Sequence, residues 1–272
     1  MAEYLVFRLY GPLASWGEIA VGESRHSAPH PSRSALLGLL GAAIGVLRED
    51  EAGQQKLFAS FRFGVKLAAV GSPLRDYHTV QVPPQKGKIV YRTRRQELAD
   101  RSRLGTLLSF REYRCDSLAV VAAQATLDAS WSLQEVSQAL RTPSFPLCLG
   151  RKSCVPALPL APSLMELPTL RDALDAAQVS LASLAVRDRG SRLMAQEPLL
   201  KEKPEMHWPS SADRRLFHPG SARYFWEDGM YFGEGHHMEQ VRHDQPLSRK
   251  RWQFAARREW VYLHNDAYKG EA

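Results

Sequence analysis

The residues in this sequence that could do chemistry are cations and aromatic side chains, and they are concentrated in residues 80–114. That segment contains nine lysines and arginines but only three acidic residues, while the whole chain of 272 residues carries a net charge of +7. Nearly all of the excess positive charge therefore lies in one place. Such a block favours contact with a polyanion. The alternative is a solvated loop that has no partner.

Tyr77 and His78 come directly before this basic segment. A tyrosine ring can stack on an RNA base, and an imidazole can bind RNA or remove the proton from a 2′-hydroxyl. For catalysis, a neighbouring cation such as Lys86 or Arg114 would have to stabilise the developing charge. The spacing does not require catalysis, so RNA binding and a structural Tyr–His pair both stay open.

A second candidate site precedes a helix that the sequence predicts over residues 35–47, a stretch without charged side chains. Arg25 lies upstream, and Arg33 and Ser34 lie in the first turn. Because the first amides of a helix are unpaired and partly positive, an arginine and a hydroxyl beside them suit a phosphate. The alternative is that a serine caps the helix and Arg33 is an ordinary solvated charge.

Three glycines, at positions 38, 41 and 45, fall on one stripe of this predicted helix. Each mid-helix glycine costs about 1 kcal/mol relative to alanine. The stripe therefore indicates either close packing against another element or contact with a partner chain or nucleic-acid backbone.

The histidine and cysteine spacing gives no argument for a metal site or for an enzyme. Pro29 and Pro31 disfavour a helix that would bring His26 and His30 together as ligands. The histidines at 236, 237 and 243 have no cysteine or carboxylate at a recognisable ligand spacing. There is no phosphate-binding glycine loop and no nucleophile motif. We therefore expect no catalytic residue, no metal and no cofactor.

The bulk composition is that of a reduced, water-soluble protein. The chain has three cysteines, an odd number, and no apolar run approaching the length of about 18 residues that suggests a membrane helix. The first residues match neither a signal nor a transit peptide. We expect a cytoplasmic protein without membrane contact.

The predicted order of elements is strand, helix, strand, extended excursion, strand, helix, strand. These are expected at residues 4–10, 35–47, 63–70, 74–114, 117–126, 132–140 and 147–154. Without the excursion this is a β-α-β-β-α-β order, which predicts an α+β, ferredoxin-like domain of the kind that binds RNA on a sheet face.

The excursion and the C-terminal part complete the expected organisation. Residues 80–113 predict a basic two-stranded hairpin, inserted in a domain spanning residues 1–154, with short strands near 89–91 and 107–110. Residues 155–272 predict a smaller, irregular, β-containing region, beginning with a proline-rich bridge. A helix is expected over 170–184 and a strand near the end of 249–263.

Taken together, several motifs resemble the CasD family, the subunit of type I-E CRISPR effector complexes (Cascade) that binds the 5′ handle of the guide RNA. They cover the ferredoxin-like part densely and the C-terminal part thinly. The motifs are GPLASWG at 11–17, R-x₅-PSRS-x-LLGLLGA at 25–42, LRDYHTV at 74–80, REYRCDS at 111–117, LGRKSC at 149–154 and AARREWVYL at 255–263.

The resemblance implies a non-catalytic RAMP subunit that caps the 5′ handle of CRISPR RNA (crRNA) in antiviral defence. It also implies that residues 80–113 are a "thumb" contacting the backbone subunit CasC, with the large subunit CasA nearby and target DNA engaged through the complex. The RNA-binding residues expected from the sequence and the resemblance are Arg25, Arg33, Ser34, Tyr77, His78, Lys86, Arg92, Arg94, Arg95, Arg111, Tyr113, Arg114, Arg151 and Lys152.

Two other functions stay open at this point. One is a metal-independent endoribonuclease that processes precursor crRNA with His78 as its base. The other is a generic basic binding domain that never holds a guide RNA. The role and partner of residues 187–245 are not indicated by any pattern.

Overall fold

The chain folds around a seven-stranded antiparallel sheet covered by helices on both faces, as a computed structural model shows for residues 1–20, 22–84, 90–177 and 222–264. The helices are α1 (Arg33–Ile44), α2 (Glu51–Ser60), α3 (Arg94–Glu97), α4 (Leu133–Arg141) and α5 (Leu170–Asp175). The first strands are β1 (Ala2–Tyr10), β2 (Leu13–Ala14), β3 (Trp16–Gly17), β4 (Ser24–Arg25), β5 (Ser27–Ala28), β6 (Phe61–Ala69) and β7 (Ser72–Val82). The remaining strands are β8 (Gly105–Cys115), β9 (Leu118–Ala125), β10 (Ser163–Leu167), β11 (Ala222–Glu227), β12 (Met238–Ser248) and β13 (Gln253–His264).

The large sheet has the strand order β10-β1-β9-β6-β11-β13-β12, and every neighbouring pair is antiparallel. The prediction of an α+β protein is therefore confirmed. A second sheet holds β2, β8 and β4, with β7 paired to the free side of β8. β3 and β5 form a separate small pair.

Alternate residues of the central strands enter two different cores, because side chains alternate between the faces of a sheet. In β1, Leu5 and Phe7 pack with α1, α2 and α4, whereas Tyr4 and Val6 pack on the opposite face with α5. This two-sided burial explains why residues 4–10 are almost uniformly apolar instead of alternating.

Helix α1 begins and ends where its capping groups require. The Ser32 hydroxyl accepts a hydrogen bond from the Ala35 amide, and Gly45 ends the helix in the left-handed conformation with φ +96°. The predicted helix end at residue 47 is therefore wrong by one turn. Gly41 faces α2, where an added Cβ would lie 3.0 Å from Leu57. Close packing is thus the reason for this glycine.

Helix α4 was predicted closely. Ser132 caps it, the Ser132 hydroxyl accepts from the Glu135 amide, and the Glu135 carboxylate accepts from the Ser132 amide in return. This reciprocal pair can be recognised from the spacing of the two residues alone.

The strand predicted over residues 147–154 does not form, which corrects the expected fourth strand. Gly150 has φ +89°, and the turn is closed by the Leu149 amide donating to the Cys154 carbonyl at 2.7 Å. The edge position next to β1 is instead occupied by β10. Strands on both sides of residue 154 belong to the large sheet, and the proposed domain boundary there stays a prediction.

The basic excursion is a longer hairpin than the sequence predicts. β7 and β8 pair continuously from Ser72–Cys115 to Val82–Gly105, so the hairpin starts well before residue 80. No strand forms at residues 90–91, and the tip instead contains α3 and a short 3₁₀ helix over Arg101–Arg103. Residue 89 of the predicted strand lies outside the described residues.

The sequence predicts only one of the three strands β11, β12 and β13. β13 matches the predicted strand near residue 263 and forms a hairpin with β12. α5 occupies the start of the helix predicted over 170–184, whose part beyond residue 177 lies outside the described residues. In the described part of the chain, no helix is long and apolar enough to cross a membrane.

Candidate nucleic-acid interface

The β7–β8 hairpin has two faces with different chemistry. Directly opposite residues of an antiparallel pair lie on the same face. His78 pairs with Ser109 and Asp76 with Arg111, which places these side chains on one face. Tyr77 pairs with Phe110 and lies on the other. The adjacent residues Tyr77 and His78 therefore cannot act on the same ligand group from this strand.

The face that carries Arg111 gathers cations from three separate parts of the chain. β4 runs parallel to β8 and sets Arg25 beside Arg111. The Arg151 guanidinium lies over the Tyr113 ring, 4.7 Å from its centre. We call this set the basic face, and it consists of Arg25, His78, Arg111, Tyr113 and Arg151.

Arg151 is positioned by the sharp turn that replaced the predicted strand. The Ser15 amide donates to the Leu149 carbonyl at 3.0 Å, and one Arg151 Nη donates to the Arg25 carbonyl at 3.4 Å. The other Nη is buried and has no hydrogen-bond partner in the described part of the chain. Lys152, next to it, is exposed. The turn thus holds Arg151 against β4 and leaves Lys152 exposed next to it.

Glu112 fixes the loop that carries Arg25, and sequence reasoning missed this role. Its carboxylate lies 3.1 Å from His26 Nδ1 and accepts from the Ser27 amide at 3.4 Å, while its carbonyl accepts from the Ser15 hydroxyl. Burial alone would raise the Glu112 pKa, but these hydrogen bonds outweigh it and lower the pKa below its usual value. An ionised Glu112 therefore ties the loop to β8.

The opposite face of the hairpin presents an aromatic platform. The Tyr77 ring is 53% exposed and lies 5.2 Å from the Phe110 ring, and the Arg75 guanidinium lies 4.4 Å from the Phe110 ring centre. Arg114 belongs to this face as well, opposite Pro73. Sequence reasoning did not select Arg75 or Phe110, although the two-residue spacing from Tyr77 to Arg75 would have indicated a shared face.

The hairpin tip carries the remaining predicted cations. Arg92, Arg94 and Arg95 are exposed. Thr93 caps the short helix α3, which begins with Arg94 and Arg95. Arg94 forms an ion pair with Glu97 at 2.6 Å. Lys86 lies outside the described residues. The tip therefore offers charge for a polyanion without any apolar core of its own.

Arg33, by contrast, is turned into the protein. Its side chain is 7% exposed, forms an ion pair with Glu227, and donates to the backbone carbonyls of Phe58 and Phe61. Burial raises the Glu227 pKa above its usual value, against the opposing effect of the Arg33 charge. Arg33 is thus a structural residue in this fold, and it does not present a guanidinium at the surface.

The amides at the start of α1 are also already used. The Arg33 amide donates to the Asp244 carboxylate at 2.7 Å, and the Ser34 hydroxyl lies 3.1 Å from that of Ser32. An internal carboxylate therefore occupies the position that the sequence suggested for a phosphate. The partial positive charge at the helix N-terminus would attract either anion, a bound phosphate or the carboxylate of Asp244. In this fold the anion comes from the protein itself.

Asp244 belongs to a buried charge network that no sequence pattern indicated. Arg257 bridges Asp244 and Glu259, at 2.6 and 2.7 Å, and Glu259 lies 3.1 Å from His30 Nε2. Although burial raises the Glu259 pKa, the hydrogen bond from His30 and the charges of the arginines lower it to about 2. The network joins the start of α1 to the C-terminal hairpin.

Comparisons with known proteins identify relatives of this chain. The family model described as "CRISPR-associated protein (Cas_Cas5)" matches residues 4–259. The "CRISPR system Cascade subunit CasD" of Escherichia coli (strain K12) is 34% identical over 170 residues, covering 59% of this chain and 70% of that protein.

Two solved structures are similar in fold. A chain of a "CRISPR RNA-guided surveillance complex" gives a TM-score of 0.57 at 23% identity, with 96% of this chain and 90% of that chain covered. A structure titled "Crystal structure of Cas protein" gives a TM-score of 0.50 at 24% identity, with 96% and 94% covered. Both the sequence match over nearly the whole chain and the fold lead to one conclusion: this protein belongs to the Cas5 family of CRISPR-associated proteins.

Proposed function

We propose that this protein is a non-catalytic Cascade subunit that binds and caps the 5′ handle of crRNA in a type I-E CRISPR complex acting in antiviral defence. Family membership and the similarity to CasD support the assignment to a Cascade. The observation that carries the RNA-binding role is the basic face, where Arg25, Arg111 and Arg151 converge from three chain segments around Tyr113.

The chemistry of the basic face suits single-stranded RNA. Guanidinium groups bind phosphate oxygens, and aromatic rings stack on unpaired bases. Arg25, Arg111, Tyr113 and Arg151 would hold the handle together with Lys152. His78 and, from the other face, Tyr77 and Arg114 would add contacts where the strand passes the hairpin. Arg33 is left out of this proposal because its guanidinium is paired inside the core.

The core of the protein is proposed to be a ferredoxin-like RAMP domain. When the short strands β2 to β5, helix α2 and the hairpin are left out, the elements up to β10 follow in the order β1, α1, β6, β9, α4, β10, which is β-α-β-β-α-β. Their strands are neighbours in the order β10-β1-β9-β6. In this arrangement the β7–β8 hairpin is an insertion between the second and third core strands. The hairpin would then be the thumb that the resemblance to CasD implies.

The hairpin is proposed to contact the backbone subunit CasC, with the large subunit CasA nearby and target DNA engaged only through the complex. Its tip has the charge for RNA, and its aromatic platform of Arg75, Tyr77 and Phe110 offers exposed surface on the face away from Arg111. The platform can thus contact a protein subunit at Arg75 and Phe110, next to the RNA contacts proposed for Tyr77 and Arg114.

Charge reversal at the hairpin tip tests the RNA-binding proposal. If four or five cations of the segment meet phosphates, the logarithm of affinity should fall with the logarithm of salt concentration with a slope of about −3. The triple variant Arg92→Glu/Arg94→Glu/Arg95→Glu should bind crRNA more weakly and flatten that slope by about 2. Filter-binding titrations at several salt concentrations measure both. An unchanged slope would refute the hairpin as an RNA contact.

The proposal also predicts that the protein does not cut RNA. In the described residues His78 lies opposite Ser109 on β8, on the face assigned to RNA binding. If His78 only binds RNA, incubation of the purified protein with precursor repeat RNA in EDTA should leave the RNA intact. Specific cleavage that is lost in His78→Ala would establish the processing nuclease instead.

A further inference from the structure

The turn between β12 and β13 exposes an unusual set of side chains. Residues 249–252 read Arg-Lys-Arg-Trp. The Trp252 side chain is 58% exposed, and its φ of +51° lies in the left-handed region that side chains other than glycine seldom adopt. The short hairpin loop accounts for the left-handed backbone but does not require an aromatic side chain there. A large exposed aromatic ring at such a position is a candidate binding surface.

The surroundings of Trp252 are strongly cationic. The Arg48 guanidinium lies 4.5 Å from the centre of the Trp252 ring. Arg249 donates from Nη2 to the Ser34 carbonyl, beside Gly38, where an added Cβ would lie 3.2 Å from that nitrogen. Burial and then the nearby charge of Arg48 lower the Arg249 pKa. Arg249 thus anchors the turn against α1, and the other cations are left at the surface.

Three acidic residues lie nearby, and two of them are held by hydrogen bonds. Arg48 is followed by Glu49, Asp50 and Glu51. The Asp50 carboxylate caps α2 by accepting from the Gly53 amide at 2.9 Å, and the Glu51 carboxylate accepts from the Ser248 hydroxyl at 2.9 Å. Among the described residues, no carboxylate lies within ion-pair distance of Arg48, Lys250 or Arg251. These cations therefore keep their capacity to bind an external anion.

We propose that this turn is a second binding site for single-stranded nucleic acid, separate from the basic face. A base would stack on the exposed side of the Trp252 ring, and flanking phosphates would bind Lys250 and Arg251. Arg48 on the ring raises the positive potential over the site. The inference does not rest on binding of the crRNA handle, because it uses none of the residues assigned to that role.

The test uses the full chain carrying the tip variant Arg92→Glu/Arg94→Glu/Arg95→Glu together with Arg25→Ala/Arg111→Ala/Lys152→Ala, so that binding by the hairpin tip and by the basic face is suppressed. Fluorescence anisotropy with labelled oligouridylate and oligothymidylate, each of about 12 nucleotides, measures affinity for RNA and DNA as separate arms. Trp252→Asn, which keeps a residue tolerant of positive φ, should weaken binding about fivefold or more. Lys250→Ala/Arg251→Ala should reduce the salt slope by about 1.4.

The control is Lys56→Ala, which removes an exposed cation from α2. It should change neither affinity nor slope beyond the error, and unchanged thermal unfolding midpoints should show that all variants fold. Photo-cross-linking with thiopyrimidine strands should label the tryptic peptide of residues 252–257. Unchanged affinity and slope in both turn variants, or loss of binding to a protein partner with nucleic-acid affinity retained, would overturn the proposal.

Discussion

Replacing Arg33 with methionine is expected to lower the free energy of unfolding by about 3–5 kcal/mol. The variant removes the only cation that pairs with the Glu227 carboxylate among the described residues, and the Glu227 side chain is 12% exposed. The carboxylate would then be buried without compensation, next to two backbone carbonyls that also lose their donor. Urea unfolding at constant pH measures the change.

The stability that Arg33→Met loses should depend on pH, and it should be smaller at low pH. The Glu227 pKa is already raised in the folded protein, and Arg33 is the main influence that lowers it. Without Arg33 the pKa should rise further, so the folded state binds a proton that the unfolded state releases. Stability is then retained below the pKa of the unfolded chain and lost as the pH rises through the folded pKa. We expect the variant to be closer to the native protein at pH 5, just above the ordinary glutamate pKa, than at pH 8.

Two further variants serve as controls. Adding Glu227→Gln to Arg33→Met removes the unpaired charge and should restore part of the stability, which a double-mutant cycle quantifies. Arg62→Met, on the neighbouring strand β6, removes a half-buried arginine. It should lower the free energy of unfolding by less than about 1 kcal/mol. If Arg33→Met behaves like Arg62→Met, and its stability is independent of pH, Arg33 is not the internal counter-ion described above.

Gly150→Ala is expected to lower the free energy of unfolding by about 3 kcal/mol. It should also weaken crRNA binding. An added Cβ would lie 1.8 Å from the Ser15 carbonyl oxygen, and the residue has φ +89°. The turn cannot move away from Ser15 to relieve this overlap without breaking the hydrogen bond from the Ser15 amide to the Leu149 carbonyl. Steric overlap and left-handed strain therefore add up.

The consequence for binding follows from the position of Arg151 next to this glycine. A displaced turn should move Arg151 off the Tyr113 ring and away from Arg25, so affinity for crRNA should fall together with stability. Gly17→Ala is the matched control, because a Cβ there meets nothing within 4 Å and the glycine itself is exposed at the end of β3. Measured stability and affinity equal to those of this control would show that the turn does not position Arg151.

The sequence by itself determined what is decided locally. The basic block at 80–114, the capping pair Ser132 and Glu135, and the apolar strands 4–10 and 117–126 can all be recognised from neighbouring residues. Capping and side-chain periodicity depend on residues within a few positions of each other. The motifs that resemble CasD also identify the family from the sequence alone.

Only the tertiary structure decided which cations are presented at the surface. Arg33 and Arg151 look alike in sequence, because each lies beside a serine or a lysine and has a glycine within five residues. Arg33 meets Glu227 from a strand 194 residues away, whereas Arg151 is held over Tyr113 by a turn that packs against Ser15. A charge becomes structural or functional according to the partner that the fold brings within a few ångströms, and that partner is not written in the local sequence.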